Sequence, residues 1–338
     1  MTSRAALREY YVDQIHSQGY VNIGIDLKGN DINPLFTTFR TVLDDVYESP
    51  SQHGRDTIAA LAVCVPGRPD DSYGYLEQRR RGTLNPYEDS GEKATEDKDV
   101  LHFTPQTTEY AQEYLRTRGN MSEAFRQLFA QCTELHYEVK RAMRPALQAL
   151  GLETTLMAPE NQPNQDVHLV RVVRYLGTKA MEPKPMHVAH DDLAELHFDR
   201  SKMTAAVWES SSGLVGTPAN NLVGKSDLLL DEVDTYAERA LNNPLSHRSG
   251  LLKLFAGAGY NHLPDNAKEA SGNLPLLLHG VVDDHPGEER DAIVIFINQR
   301  IGIDLSVPRG PEKGFAHVRQ AVLEKQLRLG GLVMPAVA

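Results

Sequence analysis

The sequence predicts an α+β fold, in which a mainly helical N-terminal part precedes a β-sandwich or barrel. Three observations predict it. Apolar residues recur at helical spacing up to about residue 150. Short β-branched runs take over after residue 165. Clusters of Gly, Pro, Asn and Asp separate those runs at the spacing expected of a multi-stranded β fold.

Leu7, Tyr10, Tyr11 and Ile15 fall at helical spacing, and Gly19 supplies a stop. Tyr20 to Ile25 then alternates as a strand does. A second helix is expected from about Pro34 to Tyr47. Residues 66–98 are rich in Pro, Gly and charge, and read as a long loop of the kind that often forms a lid. Asn120 opens the strongest helix, with Glu123 as its capping-box partner. Phe125, Leu128, Phe129, Cys132, Leu135, Val139, Met143 and Leu147 give that helix one apolar face, and Leu150-Gly151 ends it. Expected strands follow at Val167–Leu176, Met203–Trp208, Leu251–Phe255, Leu274–Val282 and Ala292–Ile297. The polar stretch 210–248 reads as an insertion between strands, helical over Val233–Leu241.

Composition narrows the function classes. With 338 residues, 41% hydrophobic and 24% charged, the chain has the make-up of a soluble globular protein with a sizeable core. A formal net charge of −11 disfavours binding to nucleic acid or to an anionic membrane. The run Arg79-Arg80-Arg81 reads as a solvated loop or helix end. Cys64 and Cys132 are too few for a disulfide framework and are expected to be buried thiols. The N-terminal segment lacks the apolar core of a signal peptide, and no stretch reaches the length of a membrane span. A cytoplasmic protein is the expectation.

The chemistry concentrates in residues 186–199, MHVAHDDLAELHFD, with three His, three Asp and one Glu. Imidazole and carboxylate together suit Fe(II), Mn(II) or Zn(II). Two triplets can present both groups: His190-Asp191-Asp192 and His197-Phe198-Asp199. Residues i and i+2 of a strand share a face, so a His-x-Asp at a strand end can offer both side chains to one metal. A third ligand must come from a distant strand.

A series of short motifs in order resembles the isopenicillin N synthase-like branch of the Fe(II)/2-oxoglutarate dioxygenases. QIHSQGYVNIGID near the start resembles that family's helix, Gly-aromatic and strand opening. DKDVLHFTP (97–105), the long helix ending in ALGLE, and VRVVRYLG (170–177) resemble its next segments. HFDRSKMT (197–204) is similar to the metal strand, with a Thr seven residues after the His. PLLLHGVV (275–282) is similar to the strand with the distal His, and ERDAIVIFIN (289–298) to the last core strand. The resemblance spans about residues 8–300 in pieces.

It implies a double-stranded β-helix, or jelly-roll, core with a helical N-terminal region and a long scaffold helix. The implied division is 1–160 helical region, 161–310 catalytic core with an insertion near 210–248, and 311–338 C-terminal helix and tail. It implies His197, Asp199 and His279 as ligands of one Fe(II), with 2-oxoglutarate and O2 as co-substrates and a small molecule as the compound oxidised. The Thr offset selects His197 over His190. Arg290, eleven residues after His279, would grip the remote carboxylate of 2-oxoglutarate, and Tyr175 would add a hydroxyl. The family usually has Ser or Thr two residues after that Arg, whereas this chain has Ala292. A 2-oxoglutarate-independent oxidase of the same fold, a zinc hydrolase using the 186–199 cluster, and a non-catalytic barrel are the alternatives. Trp208 is expected to fill the barrel core, Tyr73 and Tyr75 to pack in the loop, and Asp283, Asp284 and His285 to form a solvated turn.

Overall fold

A computed structural model describes residues 3–27, 32–45, 63–65, 68–73, 76–79, 98–103, 123–159, 168–176, 198–199, 201–219, 230–245, 248, 250–281 and 288–297. Helix α1 (Arg4–Gln18) starts where the Ser3 hydroxyl accepts from the Ala6 amide, and stops at Gly19 with φ +88°. A side chain there would be strained, and its Cβ would lie 2.5 Å from Leu277. Strand β1 (Val21–Gly24) follows, then α2 (Asn33–Leu43) with Pro34 in its first turn. Strands β2 (Val63–Val65), β3 (Arg68–Tyr73), β4 (Leu76–Arg79) and β5 (Lys98–Phe103) come next. Helix α3 (Glu123–Ala149) buries every apolar residue predicted for its inner face, and Gly151 with φ +74° lies just beyond it.

After the short α4 (Glu153–Leu156) come β6 (His168–Tyr175), β7 (Met203–Glu209), β8 (Leu214–Ala219) and α5 (Leu230–Leu241). Strand β9 (Leu251–Ala256), a 3-10 turn (Ala258–His262), α6 (Asp265–Ser271), β10 (Leu276–Val281) and β11 (Arg290–Ile297) complete the described elements.

Two expectations need correction. The stretch 66–98 is not all loop, because β3 pairs with β2 and β4 with β5. Backbone pairing there overrides a composition poor in strand formers. Arg79 accordingly ends a strand rather than sitting in a loop or helix end. The polar stretch 210–248 is not wholly an insertion, since β8 pairs along its length with β10. Its helical part is as expected.

The sheet runs β4-β5-β6-β11-β7-β9-β10-β8, with β1 on β9. Strand alternation gives it two unlike faces. One face carries Val170, Val172, Met203, Ala205, Val207, Leu252, Leu254, Ile293, Ile295 and Ile297, all packed in one core with residues of α1, α2 and α3. Trp208 stacks on Phe36 of α2 at 5.3 Å, so it fills the layer between sheet and helix rather than a barrel interior. Cys132 lies in this core, where burial pushes its thiol up to about 12. His136 of α3 also lies there, 3.2 Å from His168 of β6. Burial, then His168 and Lys140, hold His136 well below the usual imidazole range, so His136 is neutral.

The opposite face is more polar. Strands β9 and β10 share only the bridge Leu276↔Ala256, and the β8–β10 ladder folds over this face. Leu214 and Leu277 from that ladder pack on Ala206 and Phe255. No described helix is long and apolar enough to cross a membrane.

Candidate metal centre

Asp199 lies in the irregular segment just before β7, not on the strand itself. Its placement depends on close backbone contact. A Cβ on Gly257 would come within 2.6 Å of the Asp199 carbonyl oxygen and 2.5 Å of that of Ser201, so glycine lets β9's end press against this segment. The Gly259 amide donates to the Ser201 carbonyl at 3.0 Å, and the buried Ser201 and Thr204 hydroxyls bond each other at 2.7 Å. Thr204 thus braces the turn that carries Asp199.

His279 comes from β10, in the other layer. Its imidazole lies edge-on to Phe255 of β9, with centroids 4.9 Å apart. Asp199 and His279 are both buried, 5% and 6% exposed, and His279 Nε2 lies 3.5 Å from Asp199 Oδ2. On the far side of the ring, Nδ1 lies 3.2 Å from the Leu277 carbonyl oxygen. A carbonyl can only accept, so Nδ1 carries the proton in that bond. In the neutral ring Nε2 then presents a lone pair to the carboxylate. A nitrogen and a carboxylate oxygen at this spacing can share one cation, whether a proton or a metal. A metal suits their spacing. Ligands with bonds of about 2.0–2.2 Å, at angles from right to tetrahedral, stand roughly 3 to 3.5 Å apart.

The structure therefore brings together Asp199 and His279, which are 80 residues apart in the chain. His197 lies outside the described residues, as do His190, Tyr75, Asp283, Asp284 and His285. Among the described residues no group of three His, Cys, Asp or Glu side chains gathers to hold a metal.

Arg290 opens β11 directly opposite Tyr175 of β6. Its guanidinium lies 5.7 Å from the Tyr175 ring centroid, and Lys98 Nζ lies 5.9 Å from the same ring. Arg290 is 8% exposed, so it is no surface residue. Its Nη2 donates to Glu209 Oε2, while Nε and Nη1 are buried with no hydrogen-bond partner among the described residues. Those two donors are suited to an anion from outside the chain.

Sequence reasoning missed Glu209 and Lys253. Lys253 Nζ stands 3.4 Å from Glu209 Oε1, and both are at least nine-tenths buried. A signal was present: Lys253 interrupts the otherwise apolar strand Leu251–Ala256. A lysine there needs a buried counter-charge.

No protein-family model and no curated protein matches the chain. Among solved structures, the chain is similar to the dioxygenase for auxin oxidation 1 from Arabidopsis thaliana in complex with 2-oxoglutarate. That match has 14% identity, covers 88% of this chain and 90% of the other, and has a TM-score of 0.48. It is also similar to the dioxygenase for auxin oxidation in rice, at 14% identity, 87% and 78% coverage and a TM-score of 0.44. A third similar structure is that of a full-length Neurospora crassa protein in complex with alpha-KG and thymine, at 12% identity, 93% and 90% coverage and a TM-score of 0.43.

Proposed function

We propose that the chain is a non-haem Fe(II), 2-oxoglutarate-dependent oxygenase that oxidises a small molecule, with a role in secondary-metabolite biosynthesis. One observation carries this reading: the buried Asp199 carboxylate and His279 imidazole, 80 residues apart in the chain, come within 3.5 Å of each other, with His279 Nδ1 bonded to the Leu277 carbonyl and Nε2 on the carboxylate side. His197 is assigned as the third ligand from the His-x-Asp motif. In this reading residues 161–310 form a double-stranded β-helix behind a helical region at 1–160; the expected C-terminal helix and tail, 311–338, lie outside the described residues.

The chain's own residues divide the work. His279 and Asp199, with His197, would hold the iron, a ligand set of two imidazoles and one carboxylate that suits Fe(II). The Leu277 carbonyl fixes the His279 tautomer, which keeps Nε2 available as a ligand. Arg290, with donors that have no partner among the described residues, would bind the remote carboxylate of 2-oxoglutarate through one edge of its guanidinium, and Tyr175 would stand beside it. Phe255, packed with Leu214 and Leu277, lies against His279 and would shield the iron from water on that side. With O2, bound iron and 2-oxoglutarate supply oxidative decarboxylation and removal of hydrogen from the substrate.

A zinc hydrolase would need neither O2 nor Arg290. Succinate release distinguishes the readings. The chain supplied with Fe(II) and 2-oxoglutarate should release succinate under air and none under argon. Turnover of a substrate that continues unchanged under argon would rule the oxygenase out.

A further inference from the structure

Strand register places the second cation of the site. On β11 the residue two after Arg290 is Ala292, where the resemblance expects a hydroxyl. Ala292 stands opposite Glu209 of β7. The Glu209 carboxylate accepts from Arg290 Nη2 with one oxygen and from Lys253 Nζ with the other. All three side chains are about nine-tenths buried or more. Among the described residues this cluster holds two cations and one anion, a net charge of +1 from Lys253, Arg290 and Glu209. One carboxylate from a ligand would balance that charge, and the Arg290 donors with no partner among the described residues could receive it.

The cluster also lies on the route to the metal ligands. Lys253 and Phe255 share a face of β9, and the Phe255 ring lies against His279. Lys253 is therefore only two residues along its strand from the aromatic wall of the candidate metal centre. Arg290 lies beyond Glu209 at the far end.

We propose that Lys253 and Glu209 replace the missing hydroxyl of this site: Lys253 supplies the second positive charge for the ligand's remote carboxylate, and Glu209 holds Lys253 and Arg290 in place for it. Lys253 is a specificity residue that selects a dicarboxylate, and Glu209 is a positioning residue. This rests on the oxygenase reading for the identity of the ligand, 2-oxoglutarate, but the cation pair itself does not. Glutarate separates the two, because it carries the same terminal carboxylates and lacks the keto group that chelates a metal.

Calorimetric titration of glutarate and 2-oxoglutarate, anaerobically and with and without Fe(II), tests the proposal on the wild type, Lys253→Met and Lys253→Arg. Lys253→Met leaves Glu209 paired with Arg290, so no lone charge is buried. The expected result is glutarate binding by the wild type, weakened about tenfold or more in Lys253→Met and largely restored in Lys253→Arg. Should Lys253→Met fail to fold, Lys253→Gln, which still donates to Glu209 without a charge, should show the same loss. Equal glutarate affinity in the wild type and the uncharged variant overturns the proposal, as does a wild type that binds no glutarate. Failure of the oxygenase reading looks different: 2-oxoglutarate would bind the wild type no more tightly with Fe(II) than without.

Discussion

Replacing His279 with alanine is expected to abolish stoichiometric iron binding and to lower turnover by about a hundredfold or more. Loss of a residue that merely orients a ligand costs about 10–100-fold in metal affinity, and loss of a ligand costs more. The effect follows from geometry. His279 is the described imidazole that faces the Asp199 carboxylate, at 3.5 Å. The fold should survive, because the ring packs edge-on against one aromatic residue, Phe255, and the main core lies on the other face of the sheet. Metal analysis after anaerobic loading, with circular dichroism as the folding control, measures it. A folded variant that keeps one iron per chain would show that His279 is not a ligand.

Replacing Glu209 with alanine is expected to have the largest effect on stability, about 3–5 kcal/mol. The carboxylate is shared by Lys253 and Arg290, and its removal leaves two buried cations side by side. Each then bears the cost of an uncompensated charge away from water. Lys253→Met in the same background should recover part of the loss, since it removes one of the two stranded cations. Urea unfolding of the three proteins gives the comparison. A loss below about 1 kcal/mol for Glu209→Ala would be that of an exposed ion pair and would contradict the burial of the cluster.

Much of the fold was legible in the sequence because its elements obey local rules. The inner face of α3 repeats at three and four residues, and every predicted position on it is buried. Gly19 marks the end of α1 because the chain must enter a positive φ there. Strands β3 and β4 were hidden because pairing between backbones formed them, and their composition reads as loop. Strand β8 was hidden for a related reason. Gly216 and Pro218 weaken its strand signal, yet β10 pairs with it residue for residue.

The candidate site was legible only in part. Arg290 and Tyr175 emerge opposite each other, and Asp199 emerges beside His279, although nothing in the spacing of either pair requires contact. The ordered motifs carried that information. Asp199 proved to precede its strand instead of lying on it, because the approach of Gly257 shapes the backbone there. Glu209 and Lys253 were not legible as a pair. Their contact depends on register across β7 and β9, where Lys253 stands opposite Ala206, three residues before Glu209.

That Asp199 and His279, with His197, hold one iron beside a pocket for 2-oxoglutarate is tested most directly by visible absorption. The chain is titrated anaerobically with Fe(II) and then with 2-oxoglutarate. One iron per chain, and a weak charge-transfer band that appears only when 2-oxoglutarate is added, is the predicted result. Iron bound at one per chain with no new band on adding 2-oxoglutarate, or no iron bound at all, would contradict it.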